Sequence, residues 1–186
     1  IGGTARKKIE TTVGKTDVTR YNQVQQPMTR KEKTVKESKV EMTEMVLPND
    51  GNRLDNLLGG RLMQWMDIAA AIASWRHTNR ICVTASVDEL NFLHPIKVGE
   101  VVILQASVNR AFRTSVEVGV RVQKENPFTG ERKHTNTAYL TFVCLDESGK
   151  PVEVPLLKPH TKDEKRRFRD AAERRKRRLL HRKKFA

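Results

Sequence analysis

Between Leu57 and Trp75 the chain is apolar on every side of a helix. Leu57, Leu58, Leu62, Met63, Trp65, Met66, Ile68, Ala69, Ala70, Ala71, Ile72, Ala73 and Trp75 leave almost no polar stripe. A helix that is apolar all round is a buried one, so the pattern predicts a buried helix starting near Gly59-Gly60 and ending near His77-Thr78-Asn79. Around it the period shortens to two. Strand-like runs cover 39–47, 81–92, 100–112, 114–125 and 134–146. In the fourth of these, Val116, Val118, Val120 and Val122 alternate with Glu117, Gly119, Arg121 and Gln123, the mark of a half-buried strand. The stretches 48–52 (PNDGN), 125–131 (ENPFTGE) and 146–152 (DESGKPV) carry turn chemistry. One buried helix followed by several antiparallel strands predicts an α+β domain whose sheet wraps the helix. After it, Thr161 and Glu164 are spaced as a capping box. They open a predicted C-terminal helix whose thin apolar stripe is Phe168, Ala171, Ala172, Leu179 and Leu180.

Charge divides the same chain in three. The whole carries +14, which taken alone suggests an anionic partner. Residues 1–40 hold ten Lys/Arg against four Asp/Glu, 162–186 hold thirteen against four, and 41–161 hold thirteen against fourteen. The excess lies in the ends and the middle is near neutral. The expected organisation is therefore a basic, disordered N-terminal arm over 1–38, a folded domain over 39–160, and a basic C-terminal helix over 161–186. The arm is poor in large apolar groups and also suits a targeting remnant. That gives a cytoplasmic expectation, or the mitochondrial matrix if the arm is such a remnant. Cys82 and Cys144 lie in strand-like runs without metal-ligand spacing and read as buried free thiols. Arg61 and Asp67 interrupt the longest apolar run, so no membrane span is expected.

Five segments, 48–67 (PNDGNRLDNLLGGRLMQWMD), 76–102 (RHTNRICVTASVDELNFLHPIKVGEVV), 111–122 (AFRTSVEVGVRV), 138–146 (AYLTFVCLD) and 171–179 (AAERRKRRL), resemble the cytosolic acyl-CoA hydrolase family in order and content. The resemblance implies a single hotdog domain, an antiparallel sheet wrapped round a long central helix. It also implies a hydrolase of acyl-CoA thioesters, active as a homodimer that assembles into a hexamer, a trimer of dimers. No cofactor or metal is implied, because coenzyme A is part of the substrate.

The candidate chemistry starts with Asp67. A carboxylate in the middle of an apolar helix is costly unless it is used, and the resemblance makes it the catalytic carboxylate. It would act as general base on water or attack the thioester itself. Gly59 and Gly60 stand where the helix begins, either to let helix and sheet pack closely or to let a thioester carbonyl approach. In the second case the Gly60 N–H, at the positive end of the helix, would hold the oxyanion. Asn56 and Asn52 precede the helix, and either would serve as N-cap or turn residue. By resemblance Asn56 matches an active-site asparagine of double-hotdog relatives, and Asn52 a recurring turn residue. Gly60 and Asp67 are seven residues apart, ~10 Å along a helix, so one helix cannot bring both to one carbon. Two antiparallel helices in a dimer can, which predicts a site shared between chains.

For coenzyme A the resemblance implies contacts on Ala85, Ser86 and Val87, on Thr114, Ser115 and Val116, and on Lys176, with Arg113 and Arg110 as further phosphate partners. His77 is expected to be structural. Met63, Trp65 and Phe92 are candidates for limiting acyl length, or core. Two other readings compete. A nucleic-acid-binding protein would use the basic tails on a structural body, but such a body has no chemical need for Asp67, Gly59 and Gly60 together, and nucleic acid is not expected. A dehydratase of the same fold would place a histidine on the central helix, and residues 57–76 contain none.

Overall fold

The computed structural model describes residues 31–88 and 90–184. In chain order the elements are β1 (Glu32–Thr34), α1 (Val35–Ser38), β2 (Val40–Met45), α2 (Gly59–Thr78), β3 (Cys82–Val87), β4 (Val101–Ala111), β5 (Ser115–Glu125), β6 (Arg132–Cys144), β7 (Leu156–Lys158) and α3 (Lys162–Lys184). Five strands form an antiparallel sheet in the order β2-β4-β5-β6-β3. It curls round α2, and α3 lies across its other face.

The sheet follows the alternation. Val116, Val118, Val120 and Val122 are almost fully buried and meet Phe142, Leu140 and Ala138 of β6 on the face toward α2. The long helix also forms where its sequence predicts. Its last turn closes on Asn79, held at φ 54 in the left-handed region, whose N–H donates to the Trp75 carbonyl at 2.7 Å.

Four expectations change. The described residues do not cover the helix all round: Met63, Ile68 and Trp75 are 44%, 41% and 47% exposed. Glu117, on the face the alternation assigns to solvent, is fully buried, because α3 covers that face. The strand over 81–92 ends at Val87, since the chain turns away to bring Phe92 against Gly59. Asn136 holds that loop by donating to the Asn91 carbonyl at 2.5 Å. Lastly, residues 32–38 of the expected arm over 1–38 are ordered: β1 pairs in parallel with β7, and α1 buries Val35 and Ser38. Ser38 Oγ accepts from the Val108 N–H at 3.0 Å. Residues 1–30 of the arm lie outside the described residues.

His77 is structural in placement. Its Nε2 lies 3.0 Å from the Pro155 carbonyl, so this nitrogen carries the proton, while the buried Nδ1 has no partner among the described residues. Burial holds the imidazole below its ordinary pKa, opposed by the Pro155 bond and flanked by Lys33 and Glu37. The unfolded chain therefore takes up the proton first as pH falls. The stability tied to neutral His77 is complete above about pH 6.5 and is lost progressively below it. Urea unfolding between pH 7.5 and 5.5 should show the midpoint falling in wild type and falling less steeply in His77→Gln. Equal slopes would remove His77 from the account.

Candidate active site

The start of α2 is built by a turn that leaves it open. Asn52 Oδ1 accepts from the N–H groups of Leu54 (2.8 Å) and Asn56 (3.2 Å), an Asx-type turn. Asp50, buried at 5% exposure, accepts the Leu47 N–H and pairs with Arg61 of the first helical turn at 2.7 Å. The residue before the helix is Leu58, which has no side-chain cap. Neither asparagine is therefore the N-cap. The first helical bond runs from Leu62 N–H to the Leu58 carbonyl, so the Gly59 and Gly60 N–H groups have no partner among the described residues. A Cβ on Gly59 would meet the Phe92 ring at 3.3 Å, whereas one on Gly60 would meet nothing within 4 Å. Close packing thus accounts for glycine at 59 and not at 60. Near this opening, Asn56 Oδ1 is buried without a partner among the described residues.

Asp67 lies two turns further on, half-buried rather than enclosed, on the uncovered face of α2 with Gly60, Met63 and Ile68. Thr84 of β3 donates its hydroxyl to Asp67 Oδ1 at 2.7 Å. The other carboxylate oxygen has no hydrogen bond among the described residues. Thr84 is the residue that sequence reasoning missed, because an alternating strand gives a threonine no mark of its own. Asp67 and the Gly60 N–H remain far apart within the chain, as their spacing on one continuous helix requires.

On the opposite face of the sheet, Ala85, Ser86 and Val87 line a groove of about 1030 Å³ together with Tyr139, Thr141, Val143 and α3 residues including Arg174, Arg175, Arg177 and Arg178. β6 ties this groove to the second expected segment, since Val143 pairs with both Val83 and Ser115. Thr141 Oγ1, in the groove wall, is buried without a partner among the described residues. Two arginines are already engaged. Arg174 stacks on Tyr139 at 3.6 Å and binds Glu117 at 2.6 Å, and Arg178 binds Asp88 at 2.7 Å and Glu117 at 3.0 Å. Arg175 has no carboxylate partner among the described residues. It donates to Ser115 Oγ at 3.3 Å and lies over the Phe112 ring. Burial, with Arg178 and Arg110 nearby, lowers its pKa from the ordinary arginine value. Arg110 stacks on Phe168 and donates to that residue's carbonyl.

The other expected contacts are placed less favourably. Val116 is core, at 1% exposure. Thr114 gives its carbonyl to the Cys144 N–H, and Arg113 gives its own to Val154. Lys176 points outward, paired with Glu173 at 2.9 Å, and does not line the groove. The described residues contain no group of three or more His, Cys, Asp or Glu placed to hold a metal, and no helix long and apolar enough to cross a membrane.

A sheet curled round one helix, with a carboxylate on the helix's uncovered face and free N–H groups at its start, defines a hotdog domain. The sequence profile of the thioesterase superfamily matches residues 54–130. YkhA of Bacillus subtilis (strain 168), named an uncharacterised acyl-CoA thioester hydrolase, is 46% identical over 129 residues, which is 69% of this chain and 75% of YkhA. The chain belongs to the thioesterase superfamily, among its acyl-CoA thioester hydrolases. It is also 37% identical over 143 residues to mouse acyl-coenzyme A thioesterase 11, but this match covers 76% of the chain and only 24% of the mouse protein. An acyl-CoA hydrolase from Staphylococcus aureus, solved with butyryl-CoA and CoA, superposes with TM-score 0.78 at 37% identity over 82% of this chain and 93% of that one. A hexameric acyl-CoA thioesterase superposes at 0.79 and 39% identity, over 81% and 97% of the two chains. Three variants of the S. aureus enzyme replace an asparagine, an aspartate and a threonine by alanine. The aspartate lies 15 residues after the asparagine, and the threonine 17 after the aspartate. Asn52, Asp67 and Thr84 have the same two spacings.

Proposed function

We propose that this chain hydrolyses acyl-CoA thioesters to carboxylic acid and CoA at sites shared between two copies of itself. The observation that carries this is Asp67, fixed by Thr84 on an apolar helix face that the described residues leave uncovered. Met63, Ile68 and Trp75 on α2 form an exposed apolar strip that suits a second copy. With the two α2 helices antiparallel, Asp67 of one chain faces the open helix start of the other. Assembly into a trimer of dimers is part of the same reading, supported by the hexameric relative.

In the reaction the thioester carbonyl lies against the Gly60 N–H, where the helix dipole and a fixed donor favour the oxyanion. Asp67 takes the proton of the attacking water, its orientation held by Thr84. Attack by the carboxylate itself, through an anhydride, remains the alternative chemistry. Among the described residues the Asn52 amide N–H₂ has no partner while its Oδ1 builds the turn, so it can orient the water or the carbonyl. Its spacing from Asp67 favours it for that task over Asn56. Release of free CoA, measured with a thiol reagent over acetyl to palmitoyl esters, tests the activity. No release from any chain length would end this reading.

The groove beneath α3 holds the CoA phosphates in this account, with Arg175 and Arg177 in the role expected of Lys176. Arg175→Gln should raise KM for the best ester roughly fivefold, the equivalent of about 1 kcal/mol. The rise should shrink as salt increases, and Lys176→Gln should change KM little. The opposite ranking would return the phosphate contact to Lys176.

A further inference from the structure

Cys82 and Cys144 take no part in the chemistry above, yet the sheet sets them directly opposite each other. They are register partners on the antiparallel strands β3 and β6. The Leu145 N–H donates to the Ile81 carbonyl at 3.0 Å. That bond connects the residue after Cys144 to the residue before Cys82, so the cysteines occupy a non-hydrogen-bonded pair. Cα atoms in such pairs lie ~4.5 Å apart with side chains close together, within the range that a disulfide spans. Both thiols are free and buried, at 6% and 0% exposure. We propose that Cys82 and Cys144 form a reversible dithiol–disulfide site, closed by hydrogen peroxide, that regulates the proposed hydrolase centre through β3.

The link to that centre is short. Cys82 and Thr84 project from the same face of β3 toward α2. Cys82 Sγ lies 3.3 Å from Thr78 Oγ1, and its carbonyl accepts from Trp75 Nε1 at 3.5 Å. Two residues on, Thr84 holds Asp67. Closing the disulfide draws Cys82 toward Cys144 and off Thr78, so the strand segment carrying Thr84 moves relative to the helix carrying Asp67.

The thiols are unequal. Hydrogen bonding with Cys144, then with Thr78 and Ser74, draws the Cys82 thiol down to about 7. The same contact together with burial pushes Cys144 up. Cys82 is the thiol of the pair that ionises more readily, and its thiolate is the nucleophile. It attacks one peroxide oxygen, the O–O bond breaks, and the leaving hydroxide is protonated to water. This leaves a sulfenic acid on Cys82. The Cys144 sulfur then attacks the Cys82 sulfur. The S–S bond forms, the S–O bond breaks, and the hydroxyl departs with the Cys144 proton as a second water. Two thiols are oxidised to one disulfide while one peroxide is reduced to two waters.

The activity arm of the test rests on the proposed function, and the chemical arm does not. Full-length protein is treated with hydrogen peroxide, alkylated under denaturing conditions and mapped by mass spectrometry. Both thiols should become unreactive, with Cys82- and Cys144-containing peptides joined, two hydrogens lost and no crosslink between chains. Turnover should fall reversibly by roughly 10-fold, less than the ~10²–10⁴ expected for losing a general base, and dithiothreitol should restore it. Cys82→Ala and Cys144→Ala should each resist this reversible loss, and either one alone suffices if the other fails to fold. Two thiols still free after treatment, or sulfinic acid in place of the joined peptides, would overturn the disulfide. Joined peptides with unchanged turnover, or an equal reversible loss in the alanine variants, would overturn the regulation. A chain without thioesterase activity even when fully reduced would fail the proposed function and leave the disulfide to be decided by the peptides.

Discussion

Asp67→Asn lowers turnover of the best acyl-CoA by ~10²–10⁴, the usual contribution of a positioned general base, while the protein keeps its fold. The substitution is nearly isosteric, and the Thr84 hydroxyl can still donate to the amide oxygen at the Oδ1 position, where it now donates at 2.7 Å. What disappears is the second oxygen, the one without a hydrogen bond among the described residues, which becomes an N–H₂ that cannot accept a proton. Because Asp67 is half-buried on the edge of an open face, the change leaves no charge stranded in the core. Thermal unfolding and the oligomeric state should therefore match wild type, so any lost rate reports chemistry. A variant that turns over at the wild-type rate would remove Asp67 from the mechanism.

The second large effect is a recovery. Gly60→Val should abolish activity by closing the space in front of the helix start. Within its own chain the new Cβ meets nothing within 4 Å, so circular dichroism of this parent should be native. When Asp67→Asn chains and Gly60→Val chains are unfolded and refolded together, about half of the dimers are mixed. In a mixed dimer one site receives both defects, and the other pairs an intact Asp67 with an intact helix start. Activity should rise from near zero to roughly a quarter of wild type, counting one restored site in two for half of the dimers. If both parents fold, the chains demonstrably exchange and the mixture stays inactive, each site lies within one chain.

How much of this the sequence carried depends on how local each cause was. The long helix and the strands β4, β5 and β6 were legible to within a few residues, because burial on one face stamps a period of two or 3.6 on the chain. The capping box at Thr161 and Glu164 was legible for the same local reason, and both of its bonds form. The fate of the sheet's second face was not. Glu117 looks like a solvent position until α3, some sixty residues later, brings Arg174 and Arg178 over it. The ordered segment Glu32–Ser38 has too little apolar content to announce itself, and it is held by pairing with β7 and by the bond to Val108. At the site, Asp67 and the glycine pair stood out because they break the pattern of an apolar helix. Thr84 breaks no pattern, and only the fold brings it to Asp67.

The buried Glu117 has a consequence for how related chains can vary. It has no exposed surface, and its two oxygens are taken by Arg174 and Arg178. Removing one member of such a group strands a charge away from water and costs about 3–5 kcal/mol, whereas replacing the whole group with apolar residues of similar volume is often neutral. No single substitution leads easily from one state to the other. Positions 117, 174 and 178, with Asp88 as the second partner of Arg178, should therefore vary as one unit, and lineages that keep α3 should carry either the full ionic set or none of it. A functional relative that keeps α3 and the glutamate but has lost both arginines would contradict this.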